Sequence, residues 1–242
     1  MLSKKEIKDI QSLSHKKFRD ELNLFVAEGP KNVAELIALV PQQIEKVYAV
    51  KSWLETNQLL MQYINFLEVS DSELERLSQL QAPNQVVALI KKLPAKKPDT
   101  PPFTLYLDTI QDPGNFGTIV RIADWFGIKN IVCTPGCADL YNLKVVQSTM
   151  ASIARVNVYY DEGRGWLREQ NLPVYAATLQ GTSLATHPKV DKGILIVGNE
   201  SKGISKEILQ HATEQITIPK IGEAESLNAA VATGIILSHL LK

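Results

Sequence analysis

The chain has 242 residues, 45% hydrophobic and 21% charged, a composition that supports a sizeable core and excludes a disordered chain. Its 26 basic residues balance 26 acidic ones, which excludes a protein that coats nucleic acid by bulk charge. Two cysteines are too few for a disulfide scaffold or a four-ligand metal site. Without a signal peptide or a run of about 18–20 apolar residues, we expect a cytoplasmic protein that binds neither membrane nor metal.

Basic side chains are concentrated at the start of the chain, where only Glu6 and Asp9 oppose them. The basic residues are Lys4, Lys5, Lys8, Lys16, Lys17 and Arg19. This local excess is typical of a surface that contacts phosphate groups, and equally of the solvated face of an amphipathic helix. The sequence leaves both interpretations open.

Apolar runs alternate with helical patterns in the first part of the chain. Runs of strand type occur at 24–27, 44–50, 66–69 and 86–90. A helix over 30–40 has an apolar face formed by Val33, Leu36, Ile37 and Val40. Ser70 and Glu73 fit a capping box at the start of another helix. This alternation predicts a small, mostly parallel α/β domain over residues 1–95.

A proline-rich segment follows, and the alternation then resumes. Residues 93–102 read LPAKKPDTPP, so we assign 96–102 as a semi-rigid linker and 103–242 as a second α/β domain. Its strand candidates are 103–109, 129–134, 156–160, 173–179, 193–198 and 214–218. The final helix, 226–241, is so apolar in its middle that we expect a loop or a second subunit to cover it.

The first group of polar residues with possible chemistry lies in 108–124, which reads DTIQDPGNFGTIVRIAD. We expect Asn115 to be the N-cap of a helix that follows a strand. The buried face of this helix is predicted to contain Ile119, Ile122, Ala123 and Phe126, which leaves Arg121 on the other face. Ligands bind at the carboxyl ends of strands in open α/β sheets, so Arg121 suits a phosphate or ribose. The alternative is a surface ion pair between Arg121 and Asp124.

Two later segments have a similar character. Gly198-Asn-Glu200-Ser-Lys-Gly203 follows a buried strand, and its glycines allow close approach of a ligand to the backbone. It matches neither of the common glycine-rich nucleotide-binding patterns, and a plain strand-to-helix turn is equally possible. In the second segment, 216–228, helix capping explains Ser226 well and Asn228 poorly, since an asparagine inside a buried helix needs a specific partner.

Together, in this order and spacing, the three segments resemble motifs 1, 2 and 3 of the SpoU/TrmH family of the SPOUT superfamily, RNA 2′-O-ribose methyltransferases. The resemblance covers nearly the whole chain. In the first part, HKKFR at 15–19, LFVAEG at 24–29 and APNQVVA at 82–88 resemble the L30e-like RNA substrate-binding domain of many members. The resemblance implies a catalytic domain with a parallel sheet and a C-terminal trefoil knot, an exception among folds.

The resemblance also implies ligands and roles for particular residues. The methyl donor would be S-adenosylmethionine, the substrate a structured RNA (rRNA or tRNA), and the assembly a homodimer formed through the catalytic domain. The implied cofactor-binding residues are Leu179, Gly198, Ile218 and Leu227. The implied catalytic residues are Asn115, Arg121, Glu200, Ser226 and Asn228. Because arginine side chains stay protonated, we expect Arg121 to hold a phosphate and polarise the hydroxyl rather than act first as a base.

Three other functions compete with this interpretation. A catalytically silent RNA-binding protein could use the same scaffold. A nicotinamide-dependent α/β enzyme would need a glycine fingerprint and a following acidic residue, which the sequence lacks. A base methyltransferase of the same superfamily is the third alternative, and Arg121 with Asn228 favours ribose instead.

Overall fold

The computed structural model describes residues 2–99 and 102–241, which form two compact units. The first unit contains the chain up to Pro94 and, in addition, Asp139–Ala154. The second contains Ala95–Ala138 and the chain from Arg155 onward. The sequence did not indicate that the 139–154 segment packs with the first unit. The linker assigned to 96–102 includes Thr100 and Pro101, which lie outside the described residues.

The first unit is built on a four-stranded sheet with the order β1-β4-β2-β3. Its strands are β1 Leu24–Glu28, β2 Ile44–Ala49, β3 Phe66–Glu68 and β4 Val86–Lys91, close to the four predicted runs. The prediction of a mostly parallel sheet was wrong, because β4 is antiparallel to both β1 and β2 and only β2–β3 is parallel. Hydrophobic pattern locates a strand but leaves its direction open, and β4 enters between β1 and β2 from the opposite end.

Six helices lie in the described residues of this unit before Pro94, and α8 (Leu143–Thr149), described below, also belongs to it. The six are α1 Lys4–Ser12, α2 Lys16–Leu22, α3 Pro30–Leu39, α4 Lys51–Thr56, α5 Gln58–Met61 and α6 Asp71–Leu77. The capping box of Ser70 and Glu73 is confirmed at the start of α6. The apolar face of α3 is confirmed for Val33, Leu36 and Ile37, which are buried, whereas Val40 caps the helix end.

The second unit is built on a six-stranded sheet in which every neighbouring pair is parallel. The order is β10-β8-β9-β5-β6-β7, with β5 Phe103–Asp108, β6 Asn130–Cys133, β7 Asn157–Tyr160, β8 Val174–Ser183, β9 Gly193–Gly198 and β10 Glu214–Thr217. All six strands were predicted. The remaining helices are α7 Pro113–Trp125, α8 Leu143–Thr149 of the first unit, α9 Lys206–Leu209 and α10 Ala229–Leu240. The two central strands, β5 and β9, are almost wholly buried, as expected for a sheet covered on both faces.

The final helix, α10, starts at Ala229, later than the predicted 226. It packs against α7, β9 and the 184–186 turn. Thr233, Ile236 and Leu237 are buried, while Val231 is 53% exposed. Just after α10, Leu241 forms a parallel bridge with Val190, whose backbone N donates to Leu240 O at 2.7 Å. The chain end therefore lies against the segment that joins β8 and β9.

Within 2–99 and 102–241, no helix is long and apolar enough to cross a bilayer.

Candidate active site

The three polar segments meet at one edge of the six-stranded sheet. Strands β10, β8, β9 and β5 are consecutive neighbours and run parallel, so their carboxyl ends lie at the same edge. Asp108 ends β5, Gly198 ends β9 and Thr217 ends β10. This is the edge at which open α/β sheets bind ligands.

Asp112, not Asn115, is the N-cap of α7, so the predicted capping role of Asn115 was wrong. The Asp112 carboxylate accepts a hydrogen bond from Asn115 N at 2.8 Å, and Pro113 occupies the first helical position. An aspartate followed by proline is a strong helix-start signal in the sequence. Because Asp112 satisfies the helix end, the Asn115 amide is available for other contacts.

Asn115 joins the segments through a chain of three polar side chains. Its Nδ2 donates to Glu200 Oε1 at 2.7 Å, and its Oδ1 accepts from Asn228 Nδ2, also at 2.7 Å. These two bonds fix the orientation of the Asn115 amide, because the Glu200 carboxylate can only accept a hydrogen bond and Asn228 Nδ2 donates one. The structure thus brings together three of the five predicted catalytic residues.

Asn228 is itself the N-cap of α10. Its Oδ1 accepts from Ala230 N at 3.0 Å and Val231 N at 3.2 Å. The expectation that capping explains this asparagine poorly was wrong, because the helix starts after it and the residue is exposed. The Asn228 amide therefore accepts from the first N–H groups of α10 through its oxygen and donates to Asn115 through its nitrogen. Ser226 lies in the preceding loop, is exposed and makes no hydrogen bond within the described part of the chain.

Arg121 is exposed on α7 and forms no ion pair among the residues that the structure describes. The alternative, an ion pair between Arg121 and Asp124, is not formed. The Asp124 carboxylate instead lies 3.6 Å from Arg155 Nε. Arg121 is roughly one and two-thirds helical turns beyond Asn115, so it faces a different direction.

The predicted buried face of α7 needs correction. Ile119 and Ala123 are buried, but Ile122 and Phe126 are only half-buried. Phe116, Gly117 and Val120 complete the buried face instead. The buried stripe therefore lies slightly to the side of the predicted one.

Three of the residues predicted to bind the cofactor have large apolar side chains that are exposed or half-buried. Leu179 is 75% exposed and Leu227 47%, while Ile218 is half-buried. Leu179 lies inside β8 rather than at its end, in a bulge where the pairing with β10 moves from Ala176↔Gln215 to Thr182↔Ile216. Exposed apolar side chains of this size offer contact surface for a flat apolar group such as a purine.

Comparisons with known proteins identify the family of the chain. The model of the SpoU rRNA methylase family matches residues 102–238, and a model of the MRM3-like substrate-binding domain matches residues 4–88. The chain belongs to the SpoU family. It is therefore an RNA methyltransferase by descent, and every predicted site residue lies inside the matched range.

Relatives of this SpoU family member cover its whole length. A Bacillus subtilis protein named 23S rRNA (guanosine(2553)-2′-O)-methyltransferase RlmP is 33% identical, over 97% of this chain and 95% of that protein. A TrmH family structure described as a putative RNA methyltransferase, from Porphyromonas gingivalis, has a TM-score of 0.88 and 35% identity, covering 100% and 98% of the two chains. A Sinorhizobium meliloti rRNA methyltransferase solved with AdoMet has a TM-score of 0.85 and 28% identity, covering 99% and 95%.

Two residues that the sequence analysis missed, Asn199 and Asp108, hold the loop of the SpoU site in place. Asn199 Nδ2 donates to Thr109 O at 2.8 Å, and its Oδ1 accepts from Ser201 N and Lys202 N. Asp108 Oδ2 accepts from Ser205 N at 2.7 Å. These contacts hold the loop that presents Glu200. The turn formed by Asn199 could have been predicted, because asparagine side chains commonly accept from a backbone N–H two residues later. The bond between Asp108 and Ser205 joins distant segments and has no local signal.

Gly198 is required by the same loop. A Cβ at this position would lie 2.4 Å from the backbone carbon of Gly203, closer than any side chain tolerates. The predicted role of Gly198 in cofactor binding stays a prediction, but its close backbone contact explains why no larger residue fits.

Proposed function

We propose that this protein transfers the methyl group of S-adenosylmethionine to a ribose 2′-hydroxyl of a structured RNA. The observation that carries the proposal is the Glu200–Asn115–Asn228 network, together with the exposed apolar side chains of Leu179 in β8 and of Leu227, the residue before Asn228. The names of relatives support it, since one is a 2′-O-methyltransferase acting on 23S rRNA and another was solved with AdoMet.

The site fits the cofactor in its chemistry. Leu179, Ile218 and Leu227 would contact the adenosine part, and backbone near Gly198 would bind its polar edge. When bound, S-adenosylmethionine supplies a methyl group on a positively charged sulfur, which is a good leaving group. The protein must therefore mainly orient the ribose oxygen, and orientation alone can lower a barrier by roughly 7–11 kcal/mol.

The polar residues would act on the RNA. Arg121 is exposed and carries a planar fork of donors, which suits a phosphate together with a ribose oxygen. Its charge would polarise the hydroxyl and stabilise the oxygen as the proton leaves. Glu200, Asn115 and Asn228 would hold the ribose in line, and Ser226 lies in the loop next to them.

We also propose that the first unit binds the RNA and has an L30e-like fold, and that the second unit is knotted and dimeric. Contact of the chain end with the 184–192 segment supports the knot. Exposed apolar side chains support a dimer formed by the second unit, because Trp125 is 85% exposed and Val231 53%. Analytical ultracentrifugation of the wild type and of Trp125→Glu tests the dimer.

The experiment that tests the reaction uses radiolabelled S-adenosylmethionine with ribosomal and transfer RNA from a strain that lacks the gene. Alkaline hydrolysis of the labelled RNA separates ribose from base methylation, since a 2′-O-methyl group blocks cleavage at its own linkage. We expect label in alkali-stable dinucleotides. Label in mononucleotides would indicate base methylation, and RNA binding without label would indicate a silent binding protein.

A further inference from the structure

A cleft of about 510 Å³ opens in the first unit, which contains none of the candidate active-site residues. Its volume lies in the range of roughly 300–1,000 Å³ that is usual for ligand sites. The lining includes four amide side chains and two leucines: Gln79, Gln81, Asn142, Gln147, Leu80 and Leu143. It combines residues from α8 with the turn that follows α6.

Two of the amides are fixed by hydrogen bonds to backbone carbonyls. Gln79 Nε2 donates to Ile10 O at 3.2 Å, and Gln147 Nε2 donates to Glu28 O at 3.0 Å. A carbonyl accepts only from the NH₂ end of an amide, so the positions of nitrogen and oxygen are determined in both. Within the described residues, neither Oε1 accepts a hydrogen bond. Each Oε1 is therefore a fixed acceptor on a residue that lines the cleft.

Glu28, the last residue of β1, binds both segments that carry these glutamines. Its side chain is buried, and its carboxylate accepts from Ser78 Oγ and from Gln79 N, the latter at 2.9 Å. Burial raises the pKa of Glu28. The carbonyl of the same residue receives the Gln147 amide. One residue thus fixes both walls of the cleft.

The chemistry of the lining specifies a ligand. Leu80 and Leu143 are half-buried and offer apolar contact, while the fixed oxygens of Gln79 and Gln147 require N–H donors. Lys144 is the one charged residue among those that line the cleft, and no lining carboxylate would repel an anion. A flat group with amino hydrogens on its edge and a phosphate beside it satisfies all three features.

We infer that this cleft binds an unpaired nucleotide of the RNA, with preference for a base that carries an exocyclic amino group. The inference rests on the proposed function, because it assumes that RNA is the substrate. Proteins that read RNA sequence do so mainly at unpaired bases, through apolar contact and hydrogen bonds to their edges. The cleft would give the first unit a means of selecting its RNA that phosphate contacts cannot supply.

Octamers of cytidine and uridine test the base preference, since both are single-stranded pyrimidine RNAs and only cytosine has an exocyclic amino group. Fluorescence anisotropy of the full chain, with S-adenosylhomocysteine present at saturation, gives the two dissociation constants. We expect tighter binding of the cytidine octamer by about threefold to tenfold, the effect of one hydrogen bond. Equal binding of the two octamers would overturn the inference.

Gln147→Met and Gln79→Met test the site itself, because these two residues supply the fixed acceptors. Their amides donate to different carbonyls, of Glu28 and Ile10, so one variant remains informative if the other unfolds. Each should lose most of the preference for cytidine, while Gln62→Met, an exposed glutamine outside the cleft, should keep it. Preference retained in both cleft variants, or lost equally in the control, would contradict the assignment.

The proposed function is tested separately by the methylation assay on the wild type. If the wild type methylates RNA and the cleft variants bind both octamers as it does, only the cleft assignment fails. If the wild type transfers no methyl group to ribosomal or transfer RNA, the proposed function fails first.

Discussion

Asn115 uses both ends of its amide, donating to Glu200 and accepting from Asn228. The two bonds join segments that lie 85 and 113 residues away along the chain. A substitution at this residue therefore tests whether the network positions the substrate. Aspartate is the most informative replacement, because it keeps the shape and the oxygen but loses the donor.

We expect Asn115→Asp to lower turnover by about tenfold to a hundredfold at neutral pH, the effect of one hydrogen bond to a charged group. Two carboxylates within hydrogen-bond distance disfavour ionisation of both, so one of them should bind a proton more readily than usual. That proton restores a donor, and the loss should therefore shrink as the pH falls. Single-turnover methylation across pH measures this. A constant loss at every pH would contradict it, and Asn171→Asp, an exposed asparagine outside the network, is the control.

Substitution of Arg121 by lysine tests whether this residue acts through its charge or as a base. Lysine keeps the charge but not the planar fork, so Arg121→Lys should retain measurable turnover and Arg121→Ala should lose more. Cofactor affinity, measured by calorimetry, should be unchanged in both. If Arg121 acted as the base, Arg121→Lys would instead show an altered pH–rate profile. Wild-type rates in Arg121→Ala would remove the residue from the site.

Helix α2 and the 139–154 segment are connected by a buried ion pair. Arg19 is 3% exposed, and its guanidinium contacts Asp139 Oδ2 at 2.6 Å and 3.1 Å. It also donates to the carbonyls of Leu13 and Ser14. Although the sequence groups Arg19 with the exposed lysines, its contacts make it a structural residue of the first unit.

Arg19→Ala should lower the free energy of unfolding by about 3 kcal/mol, since it leaves a largely buried carboxylate without its partner. Arg19→Lys should cost less, because the charge remains while the paired hydrogen bonds are lost. Urea unfolding followed by circular dichroism measures both. Lys16→Ala is the control, because its pair with Asp20 is exposed and should contribute less than about 1 kcal/mol. An Arg19→Ala protein as stable as the control would show that the pair does not hold the segment.

For the molecule as a whole, RNA affinity should depend on the exposed lysines of α1. Lys4, Lys5 and Lys8 are exposed, and a protein of zero net charge can attract RNA only through such local groups. Deletion of residues 1–94 is a poor test, since α8 packs on β1 and would lose its partner. Point substitutions keep the unit intact.

The triple variant Lys4→Gln, Lys5→Gln, Lys8→Gln should bind RNA more weakly and with a flatter salt dependence. Each lost phosphate contact reduces the slope of log affinity against log salt by about 0.7–0.9, so the loss of three contacts reduces it by about 2.1–2.7. Cofactor affinity should not change. The matched control replaces Lys31, Lys51 and Lys91, which are also exposed. Equal flattening in the control would indicate bulk charge rather than a local surface.

The sequence by itself determined the positions of the strands and the helix with the Ser70 capping box, and it named Asn115, Glu200 and Asn228, which meet in the structure. These are local properties, since apolar runs, prolines and capping side chains act within a few residues. The motifs also identified the family, because their order along the chain is a sequence property.

Only the tertiary structure decided which distant groups meet. It placed β4 antiparallel between β1 and β2, buried Arg19 against Asp139, and gave the Asn115 amide to Glu200 and Asn228. Because Asp112 caps α7, the Asn115 amide is available for these two partners. Such pairings depend on chain segments separated by tens of residues, and no local pattern encodes the free energy of bringing them together.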